Sequence, residues 1–566
     1  MGGAASAVAE AAATAAKAAA AAAADGRRPG CGALSAPCAL ALALALAVTA
    51  ACAAAALTAA EAAIAGLFSA ARQAAAVRGI PKAAGSLPLL GHTVLLAREH
   101  GRAWEIFKEA VHSKGPVARV RIGLQHLLIV CEPKLLKQVM NTGTTDAARR
   151  HYEKDRDFSY KPFMGILGRG LVTSEGQHWR RQRNLVMKAF RVDILDEIVG
   201  VGARAAGALC AKLDAGYTST GTHIGLSEEF RHLTLRVIVS ALLDLDHAES
   251  DRVFPVLYLP IMEEANARTV QVWRPFLPTY DNFMFNYRNY KLNAYVKDII
   301  SRRWAERRAR RGAERERYDI LEKVLDATAK RLSSSAASAA RLPAAELQQL
   351  ASEFKTFVLA GHETSAALLT WALHELTKPE HAHILARVRA EANATFGTDG
   401  PEAALRRAEE KSCATAIREG SMDYTLAVLK ETLRLHTVVP VVTRTCVKDD
   451  VLGGYAIPRG ATIVLGLEAC HHSPDVWPDP LTFNPGNFYG KSGKDIPDFT
   501  FVPFIDGVRN CLGQHLALLE VRAVLGLLVQ RYDFTPATDM EGERASAVIP
   551  IAPKYGMRMF VTPCAR

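Results

Sequence analysis

The sequence predicts a mainly α-helical domain with a small β-sheet region. Apolar residues recur at three- and four-residue intervals over about 177–438, a spacing typical of long helices that bury one face. Two shorter segments predict strands. The segment VARVRIGLQHLLIV (117–130) alternates and turns at Gly123, and GYAIPRGATIVL (454–465) turns at Gly460.

Length and composition bound the domain organisation. Alanine dominates residues 1–79 of the 566, so we expect one catalytic domain over residues 80–566. Within it, 395–422 is expected to be an irregular connector, and the serine-rich segment 333–340 a surface loop. The chain has 69 Lys and Arg against 58 Asp and Glu. The resulting net charge of +11 suits an acidic partner protein or an anionic membrane surface better than nucleic acid.

The alanine-rich start is predicted to direct the chain to a membrane. The segment CALALALALAVTAACAAAAL (38–57) has no charged residue and as a helix would be about 30 Å long, enough to span a bilayer. The flanking basic residues favour an anchor in the endoplasmic reticulum with the catalytic domain in the cytosol. A cleaved chloroplast transit peptide is the alternative, because alanine with few acids is also typical of such peptides.

The cysteine pattern indicates one functional thiol. Ten cysteines form no CxxC pair, which argues against a zinc ribbon or a disulfide scaffold. The segment FVPFIDGVRNCLGQHLALLE (501–520) sets Cys511 between two glycines and ahead of an apolar helix. An anionic sulfur can bind haem iron from one side and favour O–O bond cleavage on the other. The metal and the N–H groups at the start of the following helix would stabilise that thiolate.

The residues around this cysteine suit a flat cofactor that carries carboxylates. Gly507 and Gly513 permit turns and close approach, Arg509 can donate to a carboxylate, and Phe504 would shield the sulfur. The whole loop, F-I-D-G-V-R-N-C-L-G, resembles the haem-binding loop of the cytochrome P450 haem-thiolate monooxygenases, eukaryotic membrane-bound type. That resemblance implies a cytochrome P450-like fold that encloses haem b (iron protoporphyrin IX), with Cys511 as the axial ligand of the iron.

A second motif, FVLAGHETSAALLTWAL (357–373), has a helical pattern with polar residues at its centre. Gly361 removes bulk there, and Thr364 can donate its hydroxyl to the carbonyl of Ala360 and open a groove. The start of the zinc motif HExxH is present, but its second histidine is missing. In the P450 family the corresponding pattern faces the haem opposite the sulfur. The resemblance implies that Glu363 and Thr364 steer protons to O2 bound there.

Three further positions match the family. The motif KETLRL places Glu431 and Arg434 one helical turn apart, as in the family's buried structural pair. Arg444 matches an arginine that contacts a haem propionate. In HWRRQR, Trp179 and Arg183 lie on one helix face and match the family's propionate donors. The resemblance extends over about residues 80–560.

One segment departs from the family pattern. In FNPGNF, Asn487 stands where the family usually has an arginine that joins the pair Glu431 and Arg434. The network around this pair must therefore be completed differently.

The resemblance implies a monooxygenase that inserts one atom of O2 into an apolar substrate and reduces the other to water. Electrons derived from NADPH must come from a separate protein, because GRGLVTSEG lacks the Rossmann spacing. That partner would be NADPH–cytochrome P450 reductase, or a ferredoxin in a plastid. Position in the family fold predicts an apolar pocket, which favours a lipid or isoprenoid substrate. Its predicted lining is Phe163, Met164, Phe357, Val358, Val439, Val441, Ile549 and Ile551.

Two alternative functions belong to different classes. A haem-thiolate isomerase or lyase would rearrange hydroperoxides without O2 or a reductase, and the pair Glu363 and Thr364 counts against it. A haem-thiolate gas sensor would need neither that pair nor a membrane anchor. Turnover that depends on an electron donor distinguishes the monooxygenase from both.

Overall fold

The computed structural model describes residues 71–564, except 89, 99–102, 124, 142–150, 158, 191, 246, 272–273, 310–318, 333–340, 538–549 and 554–555. Three predictions fall outside the described residues: the membrane anchor at 38–57, the loop at 333–340 and the pocket residue Ile549. The described chain divides into two compact units. In the smaller one, which contains 71–78 and 125–126, residues 71–76 are helical.

Helices make up most of the larger unit. In chain order they are α1 (Thr93–Arg98), α2 (Ala103–Lys114), α3 (Pro133–Asn141), α4 (Lys161–Leu167), α5 (Gly176–Met187), α6 (Val192–Gly216), α7 (Leu226–Leu243), α8 (His247–Val270), α9 (Tyr280–Ala309), α10 (Ile320–Arg331), α11 (Ala344–Leu376), α12 (Ala382–Phe396), α13 (Pro401–Ala408), α14 (Lys411–Arg418), α15 (Asp423–His436), α16 (Leu467–His471) and α17 (Gln514–Arg531). Short 3-10 turns are found at Arg274–Phe276, Pro379–His381, Pro485–Asn487 and Gly507–Arg509.

The strands are short and form small sheets. They are β1 (Val117–Ile122), β2 (Gln125–Val130), β3 (Tyr152–Lys154), β4 (Ile224–Gly225), β5 (Val441–Cys446), β6 (Asp450–Leu452), β7 (Tyr455–Ile457), β8 (Thr462–Gly466), β9 (Tyr532–Pro536) and β10 (Arg558–Pro563).

The largest sheet has the strand order β1-β2-β8-β5-β3. Strand β2 runs parallel to β8, with Leu128 opposite Ile463, and β5 runs antiparallel to both β8 and β3. The register places Lys154 of β3 opposite Arg444 of β5, so two basic residues are neighbours on adjacent strands. A second sheet has the order β4-β10-β9, and β6 pairs with β7.

The core lies between the long helices. Helix α11 packs against α7, α15 and α17, and α17 also packs against α6 and α12. Phe354 of α11, Phe230 of α7 and Leu525 of α17 are fully buried at these contacts. This packing fixes α11, which carries the motif with Thr364, relative to α17, which follows Cys511. In the described part of the chain, no helix has both the length and the hydropathy to cross a bilayer.

The structure confirms the predicted mixture of long helices and short strands, including the turns at Gly123 and Gly460, whose φ angles are +57° and +87°. The irregular connector predicted at 395–422 is wrong, because α13 and α14 lie within it. Gly400 has a φ of +121° and leads into Pro401, which is favoured at a helix start. The buried faces of these helices use mainly small residues among many charged ones, so little apolar bulk marks them in the sequence: Ala404, Ala408, Cys413, Ala414 and Ile417.

Candidate active site

The Cys511 loop forms a turn that presents the thiol at the start of α17. The backbone N–H of Cys511 donates to the carbonyl of Phe504 at 2.9 Å, which closes the turn. Cys511 is exposed, whereas most of the other described cysteines are buried. The surrounding protein raises the pKa of this thiol, and the N–H groups of Gly513 and Gln514 and the Arg183 cation oppose that rise. An accessible sulfur with convergent N–H groups fits a thiolate ligand of haem iron.

The two glycines of the loop have different roles. Gly507 has a φ of +75°, and a side chain there would meet the Asn141 amide oxygen of α3 at 2.9 Å. This glycine therefore allows the loop to pack on α3. A Cβ on Gly513 would meet no atom within 4 Å. The open side of Gly513 is compatible with a flat group beside the sulfur.

Helix α5 contacts the same Cys511 loop through Arg183 and Trp179. Arg183 donates to the Asn510 carbonyl at 2.9 Å and to its side-chain oxygen at 2.5 Å, immediately before Cys511. The Arg509 guanidinium lies 3.8 Å from the centre of the Trp179 ring. Trp179 and Arg183, predicted from one helix face, therefore hold the residues on the N-terminal side of the cysteine.

A cluster of cations lies beside the loop. Arg509 pairs with Glu175, a partner that the motif did not indicate, and donates to the Ser174 carbonyl at 3.1 Å. Burial, together with Arg444, lowers the pKa of Arg509 to about 10, although Glu175 opposes this. Arg444 is itself only 4% exposed. Buried cations that exceed the nearby carboxylates attract an anion.

Lys154 and Tyr160 complete this cluster and were missed in the sequence. The Lys154 ammonium lies 3.1 Å from the Tyr160 hydroxyl. Burial and the nearby Arg444 and Arg509 lower the pKa of Lys154, while Tyr160 opposes this. Burial alone would raise the pKa of Tyr160, but the three cations together lower it. The three cations and this phenol fit the carboxylate groups of a haem. Lys154 could be recognised only from the register of β3 and β5, which sets it opposite Arg444 and which no local motif contains.

Helix α11 carries the second motif. The Thr364 hydroxyl donates to the Ala360 carbonyl at 2.6 Å, as the sequence predicted. Glu363 pairs with Arg231 of α7 at 3.0 Å, and Arg231 also pairs with Glu228 at 3.0 Å. The glutamate that the motif predicted is therefore attached to a second helix through an arginine 132 positions away.

Gly361 and His362 pack the same helix against its neighbours. A Cβ on Gly361 would come within 2.6 Å of Ile238, so the missing side chain lets α7 approach α11. The His362 ring contacts Tyr258 edge-on at 5.3 Å, and burial lowers the pKa of His362 to about 4. Both residues have packing roles here.

The pair Glu431 and Arg434 is fully buried and bidentate, with distances of 2.7 and 2.9 Å. Asn487 completes the network by donating to both Glu431 oxygens at 3.2 Å. The backbone N–H of Asn484 adds a further bond to Glu431 at 2.9 Å. The remaining Arg434 donors bind main-chain oxygens of His471, Pro480 and Thr482.

The predicted pocket residues separate into two groups. Phe357 and Val358 are buried in the helical core, at 7% and 3% exposure, and Ile551 is 2% exposed. The others are partly exposed: Phe163, Met164, Val439 and Val441. The Ile551 N–H donates to the Val438 carbonyl at 2.9 Å, so the structure joins the segments after α15 and before β10.

Comparison with known proteins agrees with this geometry. The family model for cytochrome P450 matches residues 81–555. The chain belongs to the cytochrome P450 family. It is accordingly a haem-thiolate monooxygenase, an oxidoreductase whose family uses haem, O2, redox partner proteins and hydrophobic substrates. The predicted family, fold class and enzyme class are confirmed.

Several curated proteins are similar to this chain over most of their length. Cytochrome P450 4c21 of Blattella germanica is 28% identical, covering 81% of this chain and 88% of its own. Protein LUTEIN DEFICIENT 5, chloroplastic, of Arabidopsis thaliana is 25% identical, covering 79% and 72%. Cyclooctat-9-en-7-ol 5-monooxygenase of Streptomyces melanosporofaciens is 26% identical, covering 80% and 89%.

Proposed function

We propose that this P450 inserts one atom of O2 into a lipid or isoprenoid, with Cys511 as the iron ligand and NADPH-derived electrons from a separate reductase. The accessible Cys511 thiol, bound by the N–H groups of Gly513 and Gln514, is the observation that carries the proposal. When bound, the haem supplies O2 binding and O–O bond cleavage. The chain's own residues hold the sulfur, bind the carboxylates and deliver protons.

The cationic cluster orients the cofactor in this proposal. Lys154, Arg444 and Arg509 would bind the haem carboxylates, and Trp179 contacts Arg509 through its ring. Arg183 acts on the Asn510 backbone, which keeps Cys511 at the start of α17. Carboxylate binding and thiolate positioning therefore share one side of α5.

In this proposal, residues of α11 would deliver the protons that the reaction consumes. The Thr364 hydroxyl donates a hydrogen bond to the Ala360 carbonyl, so the lone pairs of the hydroxyl oxygen remain available to accept another hydrogen bond. Glu363 supplies protons through water, and Arg231 holds its carboxylate in place. Glu228, whose side chain is 53% exposed, continues this chain of ion pairs toward solvent. The acid–alcohol pair favours O2 activation over the isomerase and the sensor.

The pocket chemistry supports a hydrophobic substrate. The predicted lining residues that the structure describes are all apolar, as expected for a site that binds a lipid or isoprenoid. One relative is named as a monooxygenase of cyclooctat-9-en-7-ol, a largely hydrocarbon alcohol. These observations support an apolar substrate with few polar groups.

Exposed aromatic residues support association with a membrane. Phe276, Tyr280, Phe283, Tyr287 and Tyr290 recur at three- and four-residue steps around the start of α9 and are 45–77% exposed. Aromatic side chains of this kind favour the membrane–water interface. We place the enzyme at the endoplasmic reticulum with its catalytic domain in the cytosol; the relative named chloroplastic supports the plastid alternative. Fusion of residues 1–79 to a fluorescent protein distinguishes these locations.

The carbon-monoxide spectrum of the dithionite-reduced protein tests the iron ligand. A strongly red-shifted Soret band is expected for wild type and for Cys564→Ser, which replaces another cysteine that is not fully buried. Cys511→Ser should lose this band. Turnover must then depend on an electron donor, because hydroperoxide consumption without a donor would instead indicate the isomerase. A wild-type holoprotein without the band would contradict ligation by Cys511.

A further inference from the structure

A tryptophan near the end of α11 ties together two distant segments. The Trp371 indole N–H donates to the Ile551 carbonyl at 3.0 Å, and the Ile551 N–H donates to the Val438 carbonyl at 2.9 Å. All three residues are buried, with exposures of 5%, 2% and 4%. One indole hydrogen bond therefore attaches the segment before β10 to α11, and that segment in turn holds the one after α15.

The orientation of the indole is fixed from behind. The His436 ring stacks on Trp371 with a centroid distance of 4.2 Å and an angle of 6°. His436 Nε2 lies 2.7 Å from Glu375, a fully buried carboxylate that also accepts from Lys378 at 2.8 and 2.9 Å. A stacked ring that is itself hydrogen-bonded restricts rotation of the indole.

The tether starts on the same face of α11 as the acid–alcohol motif. Trp371 follows Thr364 by seven residues, which is close to two helical turns and about 10.5 Å along the axis. The segments it holds contain Val439, Val441 and Ile551, three of the proposed pocket residues. A shift in the tether would therefore move pocket residues relative to Thr364.

We propose that Trp371 is a positioning residue that determines which substrate carbon is presented for oxidation. Its N–H holds the 438–441 and 550–553 segments at a set distance from the helix that carries Thr364. The substrate never needs to touch Trp371. This inference rests on the proposed function, because it takes those segments as walls of the substrate pocket.

Hydrogen–deuterium exchange of the haem-loaded enzyme tests the tether without a substrate. Trp371→Phe keeps a ring to stack on His436 but removes the N–H together with the five-membered ring of the indole, leaving the Ile551 carbonyl without its donor. The control below removes the same atoms. We expect exchange at the Ile551 amide to become at least about tenfold faster. Trp477→Phe is the matched control: Trp477 is also buried, at 7%, but its N–H reaches no acceptor among the described residues. It should leave this exchange unchanged.

Product distribution tests the consequence for specificity. Dodecanoic acid and β-ionone serve as probes, and the ratio of oxidation positions is compared for wild type, Trp371→Phe and Trp477→Phe. Only Trp371→Phe should change the ratio, with its reduced carbon-monoxide band intact. His436→Gln, which keeps a donor for Glu375 but removes the stacked ring, should change the amide exchange in the same direction by a smaller factor.

The outcomes separate failure of the inference from failure of the proposed function. Unchanged amide exchange in Trp371→Phe overturns the tether, whichever substrate is used. Equal acceleration in both tryptophan variants also overturns it, because that would indicate general loss of packing. A wild type that lacks the red-shifted band or any donor-dependent turnover contradicts the proposed function, and with it the specificity role, while the exchange result still decides the tether.

Discussion

Arg434 and Glu520 are both buried ionisable residues, but they differ in their partners. Arg434, in α15, donates five hydrogen bonds to Glu431 and to main-chain oxygens. Glu520, in α17, has no hydrogen bond of ordinary geometry within the described chain, and neither has the Ser365 hydroxyl of α11. Burial raises the pKa of Glu520, and the neighbouring Ser365 hydroxyl opposes that rise.

This difference distinguishes a structural region, around Glu431, from the interface of α17 with α11, the helix that carries Thr364. The network around Glu431 is completely paired, as expected for a part of the molecule that must not move. At the interface of α11 and α17, by contrast, the buried Glu520 carboxyl and the Ser365 hydroxyl have only each other as a neighbouring partner in the described chain. Buried polar groups with so few partners are rare in native interiors, and a catalytic role or a bound water is one explanation for them. The predictions below test whether the two regions respond as differently as their hydrogen bonds indicate.

The largest effect is expected in the paired region. Glu431→Ala leaves the Arg434 cation buried without its counter-charge, which should lower the free energy of unfolding by about 3–5 kcal/mol. Denaturant unfolding of the holoenzyme measures this loss. Asp298→Ala is the control, because it breaks a solvent-exposed ion pair. The side chain of Asp298 is 64% exposed and that of its partner Arg302 is 56% exposed. Its effect should stay below about 1 kcal/mol; similar losses in both variants would remove the contrast.

The next effect concerns catalysis in the open region. Thr364→Val should lower the product formed per electron pair consumed about 100-fold, because the hydroxyl that steers protons is lost. Thr370 provides the control on the same helix: its hydroxyl makes the same kind of bond, to Ala366 at 2.7 Å, but it is 1% exposed. Thr370→Val should retain the coupling of wild type. Product and donor consumption are measured together, and equal uncoupling in both variants would contradict a specific role for Thr364.

A smaller effect should appear as a pH dependence of stability. Burial raises the pKa of Glu520 from 4.5 to about 8, with Ser365 opposing the rise. The folded protein therefore retains a proton that the unfolded chain has lost, so the free energy of unfolding falls as pH rises from about 4.5 to about 8. Glu520→Gln removes this titration and should be more stable than wild type at pH 8.

Denaturant unfolding at pH 5, 6.5 and 8 measures that dependence. The slope of stability against pH should be smaller for Glu520→Gln than for wild type. Glu380→Gln, at an exposed position, should leave the slope unchanged. An unchanged slope in Glu520→Gln would mean that this carboxyl has a partner and that the two regions are more alike than their geometry suggests.

The smallest effect tests how redundantly the paired region is built. Asn487→Ala removes two bonds of 3.2 Å to Glu431, but Arg434 and the Asn484 N–H remain. We expect a loss of about 1 kcal/mol in unfolding free energy. Asn286→Ala, which removes an exposed bond in α9, is the control and should cost less. A loss as large as that of Glu431→Ala would show that the asparagine is essential to the network.

Local spacing was sufficient for several predictions. Each depends on residues a few positions apart, where helix and turn geometry fix the distance. They are the hydrogen bond from Thr364 to the Ala360 carbonyl, the pair Glu431 and Arg434, and the turn at Gly123. The helices at 401–408 and 411–418 were missed because they are short and polar on average, and their buried faces use small residues with little apolar bulk. Local patterns also named Arg509 without its partner Glu175, which lies 334 positions away.

Local motifs were enough to predict the chemistry: a thiol between two glycines, an acid–alcohol pair on a helix, and further motifs in the order of the cytochrome P450 family. Which distant groups meet depends on the tertiary structure. The register of β3 and β5 sets Lys154 beside Arg444, the contact of α7 with α11 pairs Arg231 with Glu363, and Trp371 reaches Ile551. The reason is physical: a motif specifies atoms that the local backbone holds together, whereas these pairs depend on how helices and strands pack across the whole chain.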